Sequence, residues 1–160
     1  MAVPEIEAPL PAFGAHARAE SGDLLQRTLV ELIALSLIGK QLQWNITGNE
    51  FRSLHLHLDE LVDDWRELAD MVAERAVAIG FPPDGRAPAV DEQSGIEPVE
   101  PGPTLVAAAI RQLVARIAEV DERARERMER LGEIDLISQD VLIDVTRALE
   151  KQLWMLRSRL

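Results

Sequence analysis

The stretch from His55 to Glu74 sets the strongest constraint on what this chain can become. It contains no Gly or Pro, and Leu, Ala, Glu and Arg dominate it, so it favours helix. Four potential metal ligands sit on it as two pairs, His55/Asp59 and Asp70/Glu74. Each pair has i,i+4 spacing, which makes its members neighbours one turn apart. Eleven residues separate Asp59 from Asp70, close to three turns, so both pairs share one face. At ~1.5 Å rise per residue the pairs stand roughly 16 Å apart, while ligands must lie about 2.0–2.3 Å from a metal ion. Each pair is therefore at most half a site. A second copy of the helix, antiparallel about a two-fold axis between Asp64 and Trp65, would lay each pair beside its complement twice over. The alternative is a solvated face whose acids happen to align.

Charge and composition narrow the classes. The chain has 160 residues, enough for one domain with a real core. Its 17 basic and 28 acidic residues leave −11, which disfavours general nucleic-acid affinity and suits a cationic partner such as a metal ion. Cys is absent, which removes disulfides, thiolate chemistry and Cys-based zinc sites. Tyr is absent too, so platforms for stacking bases are not expected. No apolar run spans a membrane, and Met1 to Phe13 has no basic residue or sustained apolar run to act as a signal peptide. A cytoplasmic location is expected.

In chain order, residues 1–20 carry Pro4, Pro9, Pro11 and Gly14 and read as a flexible arm with a solvated His16. The domain proper is expected over 21–160. A first helix is expected from Ser21 to Trp44, capped by Ser21 or Asp23, and apolar on more than one side. Gly48 can take a positive φ in the turn that follows, and Asn49 can cap the next helix. The second helix runs from Glu50 to Ile79 and ends at Gly80-Phe81-Pro82-Pro83. Residues 86–103 form a proline-containing link with a short helix over Ala89–Gln93. A third helix opens at Pro103 or Thr104 and stops at Gly132, its charged end from Asp121 to Arg130 projecting into solvent. A fourth covers Asp135 to Ser158. No strand alternation is evident. The fold class is all-α: four long helices with one long crossover, as in ferritin-like bundles.

The motifs carry a resemblance. Lys40-Gln41-x-x-Trp44-Asn45-x-x-Gly48-x-x-Phe51-x-x-Leu54-His55-x-x-x-Asp59-Glu60 is similar to the signature of the Dps family, the mini-ferritins of starved bacteria. Asp70-x-x-x-Glu74-Arg75, Pro83-x-Gly85 and Leu149-Glu150-Lys151-x-x-Trp154 fit as well. The resemblance covers about Leu24 to Arg157. It implies four-helix subunits assembled as a hollow dodecamer built from two-fold dimers. It further implies ferrous iron bound at dimer-shared sites, oxidised preferentially by hydrogen peroxide and stored as ferric mineral, with protection against oxidative stress. On this reading His55 and Asp59 come from one chain and Asp70 and Glu74 from its mate. Trp44 lies beside the site as an electron donor, the alternative being ordinary core packing.

One position departs from the family pattern: Gln43 stands where the motif has His before Trp-Asn. An amide oxygen is a much weaker ligand for iron than imidazole, so a weakened site is expected rather than an abolished one. His57 is no substitute, being about 200° round the helix from His55, and is expected against another subunit or in solvent. The family's iron-entry pores are lined from the start of the last helix, where Glu133, Asp135, Asp140 and Asp144 fall here. For Asp135 an equal alternative is a charge complementing the helix dipole. Residues 1–17 hold no Lys and no Arg, so DNA binding is expected to be weak or absent. The runner-up is a cage with impaired oxidation that acts as a sequestering or DNA-protecting shell. Zinc or manganese could compete for the same ligands.

Overall fold

The computed structural model describes residues 9–160, so Pro4, Glu5 and Glu7 of the expected arm lie outside the described residues. Five helices follow: α1 (Ala15–Asn45), α2 (Phe51–Ala78), α3 (Ala87–Gln93), α4 (Val106–Ile134) and α5 (Leu136–Arg157). The four long ones form the bundle, and α3 lies in the crossover between α2 and α4.

α1 begins six residues before the expected Ser21. Ala15, Ala17 and Ala19 are strong helix formers, and Arg130 of α4 holds Glu20 with Nε at 2.6 Å. Ser21 and Asp23 do not cap the helix; Ser21 is buried, and Asp23 pairs with Arg27 at 3.0 Å. At Gly22 an added Cβ would come within 2.1 Å of the Phe81 ring, so the absent side chain lets the end of α2 close onto α1. His16 is exposed, as expected, but on a helix.

The two apolar sides of α1 have two partners within the chain. Leu25, Leu29, Leu32, Leu35, Ile38 and Leu42 join the main core, while Val30 and Ala34 meet Val90 of α3. Leu37 remains exposed. Trp65 of α2 is fully buried in the main core, and its indole donates to Gln152 Oε1 of α5 at 2.8 Å. Trp65 passes so close to Gly39 that a Cβ there would sit 2.8 Å from the indole ring.

Gly48 takes φ 105°, as expected, but Glu50 rather than Asn49 precedes α2, with φ 65°. Residues Ile46–Thr47 (β1) and Thr104–Leu105 (β2) pair in parallel, Ile46 with Thr104. Two residues are too few to show alternation, so this strand pair was illegible in the sequence, and it delays α4 to Val106. Gly132 does not stop α4. It sits inside the helix, where a Cβ would lie 2.3 Å from Gln139 Nε2, and Gln139 reaches back to the Met128 carbonyl at 3.2 Å.

The charged end of α4 does not project into solvent all round: Glu122, Arg125, Glu126, Glu129 and Arg130 are exposed, but the opposite face is packed. Ala124 and Arg127 are buried against α1, where Arg127 forks onto Glu31 and Arg123 bonds the same carboxylate at 2.6 Å. Arg116, earlier on α4, holds the crossover by donating to the carbonyls of Glu97 (2.7 Å) and Pro98 (2.8 Å).

Candidate metal centre

α1 and α2 run side by side and bring the motif residues together where α1 ends. Gln43 is 2% exposed and His55 half-buried. His55 Nδ1 lies 3.1 Å from the Gln43 carbonyl oxygen, which can only accept, so Nδ1 carries the proton. In the neutral ring this tautomer leaves the lone pair on Nε2, the form in which imidazole binds a metal. The ring also stacks on Phe51, centroids 5.2 Å apart. One turn along, Asp59 is half-buried beside it.

Lys40 occupies the space between these groups. Its Nζ lies 3.0 Å from Asp59 Oδ1, also donates to the Gln43 amide oxygen, and stands 5.6 Å from the Trp44 ring centroid. The hydrogen bond from Lys40 holds the Asp59 carboxyl below its ordinary range, against an opposing effect of burial. The Gln43 amide nitrogen faces the His55 carbonyl at 3.4 Å. Both ends of the Gln43 side chain are therefore engaged within the subunit. Trp44 is 69% exposed, so within the subunit it is not a core residue. Sequence reading missed the role of Lys40, although the signal was there: a cation three residues before Gln43 and four before Trp44 shares their helix face.

Asp70 and Glu74 are exposed on α2, three turns beyond Asp59 on the outward side, while Trp65 faces the core. Among the described residues no three His, Asp or Glu side chains of one subunit converge as a metal set. The chain by itself thus places His55 and Asp59 one turn apart on α2, a pair that could hold a metal ion only with ligands from elsewhere.

A family model described as a ferritin-like domain matches residues 22–160. DNA protection during starvation protein 2 of Deinococcus radiodurans is 32% identical over 149 residues, covering 93% of this chain. The chain spans 62% of that protein's length. The tetragonal form of Mycobacterium smegmatis Dps superposes with a TM-score of 0.91 at 31% identity, over 96% of this chain and 94% of that one. Dps of Microbacterium arborescens in its high iron form gives 0.89 at 31% identity, over 94% and 98%. The chain belongs to the ferritin-like family, among its Dps members.

In this Dps chain the other residues singled out from the sequence fall in separate places. His57 is half-buried in a groove between α2 and α5 of its own chain, with Glu60, Asp64, Asp144 and Lys151 around it. Burial, then Arg159, pushes its pKa down, against Glu60 and Asp64. Asp135 is the N-cap of α5, accepting from the Ile137 amide at 3.3 Å, and pairs with Arg75 of α2 at 2.9 Å. Ser138 also donates to it. Its carboxyl is thus engaged inside the chain at the N-terminus of α5. Glu133 is exposed and paired with Arg130, Asp144 is paired with Arg147, and Asp140 is exposed. No helix among the described residues is long and apolar enough to cross a membrane.

Proposed function

We propose that this Dps chain is a mini-ferritin subunit that takes ferrous iron as substrate and oxidises it with hydrogen peroxide at sites shared between two copies. The observation that carries the reading is the pair of His55 and Asp59 one turn apart on α2, with Asp70 and Glu74 displayed on the same helix for a mate. Two ferrous ions each give one electron to peroxide, the O–O bond breaks, and two protons complete two waters. The ferric product is stored as mineral in a hollow assembly of twelve subunits built from two-fold dimers. Trp44, next to Lys40, supplies an electron when an oxidising radical forms beside it. Asp140 and Asp144 attract incoming iron at the pores. DNA is bound weakly or not at all. The setting is the cytoplasm, under oxidative stress.

One observation favours the second reading, a cage with slow oxidation. The amide oxygen of Gln43, which accepts from Lys40, is a much weaker ligand for iron than the imidazole of the family motif. The deciding experiment is anaerobic Fe²⁺ titration followed by peroxide, with ferric absorbance recorded for the native protein, Asp59→Asn and Gln43→His. Fast oxidation lost in Asp59→Asn supports the working mini-ferritin. A rate no better than buffer, recovered in Gln43→His, supports the sequestering cage. A rate no better than buffer in all three sinks both ferroxidase readings.

A further inference from the structure

A second charged cluster lies on the flank of the bundle, away from the candidate metal centre. Glu31 is 2% exposed and accepts from both Arg127 nitrogens and from Arg123 Nε at 2.6 Å. Arg127 also donates to Thr28 Oγ1 at 3.2 Å. A groove of about 570 Å³ opens over this cluster between α1, α4 and the end of α3. Its charged lining is Asp23, Arg27, Glu31, Arg123 and Arg127, three cations against two anions. The groove is thus locally positive on a chain whose net charge is −11. A second observation coincides with it: Arg123 Nη2 is buried and has no hydrogen-bond acceptor. A charged donor removed from water without an acceptor is a costly arrangement, and natural interiors rarely leave one.

We propose that this groove binds a small free oxyanion of the phosphate class, with Arg123 as the principal donor and Arg27 and Gln93 at the rim. Two arginines sharing one carboxylate leave a full positive charge for a ligand to neutralise. An oxyanion supplies acceptors in the spacing a guanidinium fork accepts. The Arg123 side chain is one-third exposed and lines the groove, so Nη2 meets a ligand there if the guanidinium turns about its Nε contact with Glu31. A small ion suits the site better than a polymer. Charges beyond about 8 Å are screened at physiological salt, whereas a polyanion would meet the acidic surface along its whole length.

The test uses the assembled protein in a buffer free of phosphate, with sodium phosphate titrated by calorimetry. Thermal midpoints are compared in phosphate and in chloride of equal ionic strength, because a ligand held only by the folded state raises the midpoint. About one phosphate per chain is expected, with affinity weakened at least tenfold in Arg123→Gln. Should Arg123→Gln fail to fold, Gln93→Glu decides the matter: it keeps an acceptor for Gln26 Nε2, now 3.2 Å from Gln93 Oε1, and adds a negative charge at the rim. That variant is also expected to lose phosphate at least tenfold. No heat and no midpoint shift in the native protein would overturn the proposal, as would undiminished binding in the variant that decides. Arg123-dependent retention of a short DNA duplex without any response to inorganic phosphate would overturn it in favour of a nucleic-acid contact.

Discussion

Glu31 and Lys40 stand nine residues apart on α1, roughly 13 Å along the helix, and each anchors a charged cluster. The two clusters use similar chemistry to opposite ends. Around Glu31 the charges are turned inward: one carboxylate holds Arg123 and Arg127 of α4 and so joins α1 to α4. Around Lys40 the charges sit at the surface: the ammonium bridges Gln43 and Asp59, joining α1 to α2, while His55 Nε2 keeps its lone pair. The difference lies in solvent access. A buried carboxylate must be matched inside the chain, because an unmatched one would be intolerable there. A half-exposed carboxylate can be held by a replaceable cation, and Lys40 is such a cation. The first cluster should therefore be read in stability and the second in chemistry.

The largest effect expected on this contrast is Glu31→Ala. It leaves Arg127 buried without its partner and should cost about 3–5 kcal/mol of stability, read from the urea or thermal unfolding midpoint. Whatever fraction still folds and assembles should oxidise iron at the native rate per chain. Asp59→Asn should do the reverse. The Lys40 pair it removes is partly solvated and screened, so the unfolding midpoint should barely move. The peroxide-driven oxidation rate should nevertheless fall at least tenfold, since loss even of groups that merely support a metal ligand costs about 10–100-fold. Equal losses of stability and rate in either variant would break the division between the two clusters.

The bundle was readable because periodicity and punctuation both survive in the sequence. Four long apolar stripes, Gly80 followed by Pro82-Pro83, and the proline-containing link gave four helices and the crossover. The Lys40 to Glu60 motif gave the family. The positions of α1's start, α4's end and the Glu31 cluster were not readable, for one shared reason. Each depends on a contact between residues far apart in sequence, and local propensity is silent about such contacts. The segment before Ser21 reads as arm until Glu20 meets Arg130, and Gly132 reads as a stop until Gln139 crosses it. The run Asp121 to Arg130 reads as solvated on every side until Glu31 is known to face Arg123 and Arg127. Glu31 itself was the available clue: a lone acid inside Leu29-Val30-Glu31-Leu32-Ile33 needs a buried cation. In the candidate metal centre the sequence supplied the residues, but not the fact that Lys40 stands among them.

Gln43→His sharpens the open side of the comparison. It removes the amide that now accepts from Lys40 and puts an imidazole beside His55 and Asp59. Peroxide-driven oxidation should rise about tenfold, equivalent to about 1.4 kcal/mol of barrier. Unchanged kinetics would mean that Gln43 is not what limits the site.

Asp135 provides the intermediate case and the smallest effect. Its side chain is mostly buried, like Glu31, but it pairs with a single arginine, Arg75, at 2.9 Å, and its other oxygen caps α5. Burial raises its pKa, but hydrogen bonds from Ser138 and Arg75 outweigh that, and the net shift is downward. A carboxyl with a depressed folded-state pKa stabilises the fold above its unfolded value near 4, and this contribution is lost as pH falls through the folded value. Asn caps a helix about as well as Asp, so Asp135→Asn removes the charge and keeps the cap. At pH 7 the variant should be less stable by about 1 kcal/mol, a value near the top of the range for solvent-exposed pairs and well below that for buried ones. As the pH falls below 4 the gap between the two unfolding midpoints should narrow, and it should close once the pH is below the depressed folded-state value, where the native carboxyl carries no charge for Arg75 to meet. A gap that persisted there would assign the effect to packing or capping instead. Asp135 would then belong with neither cluster, and the scale from open to closed would lose its middle point.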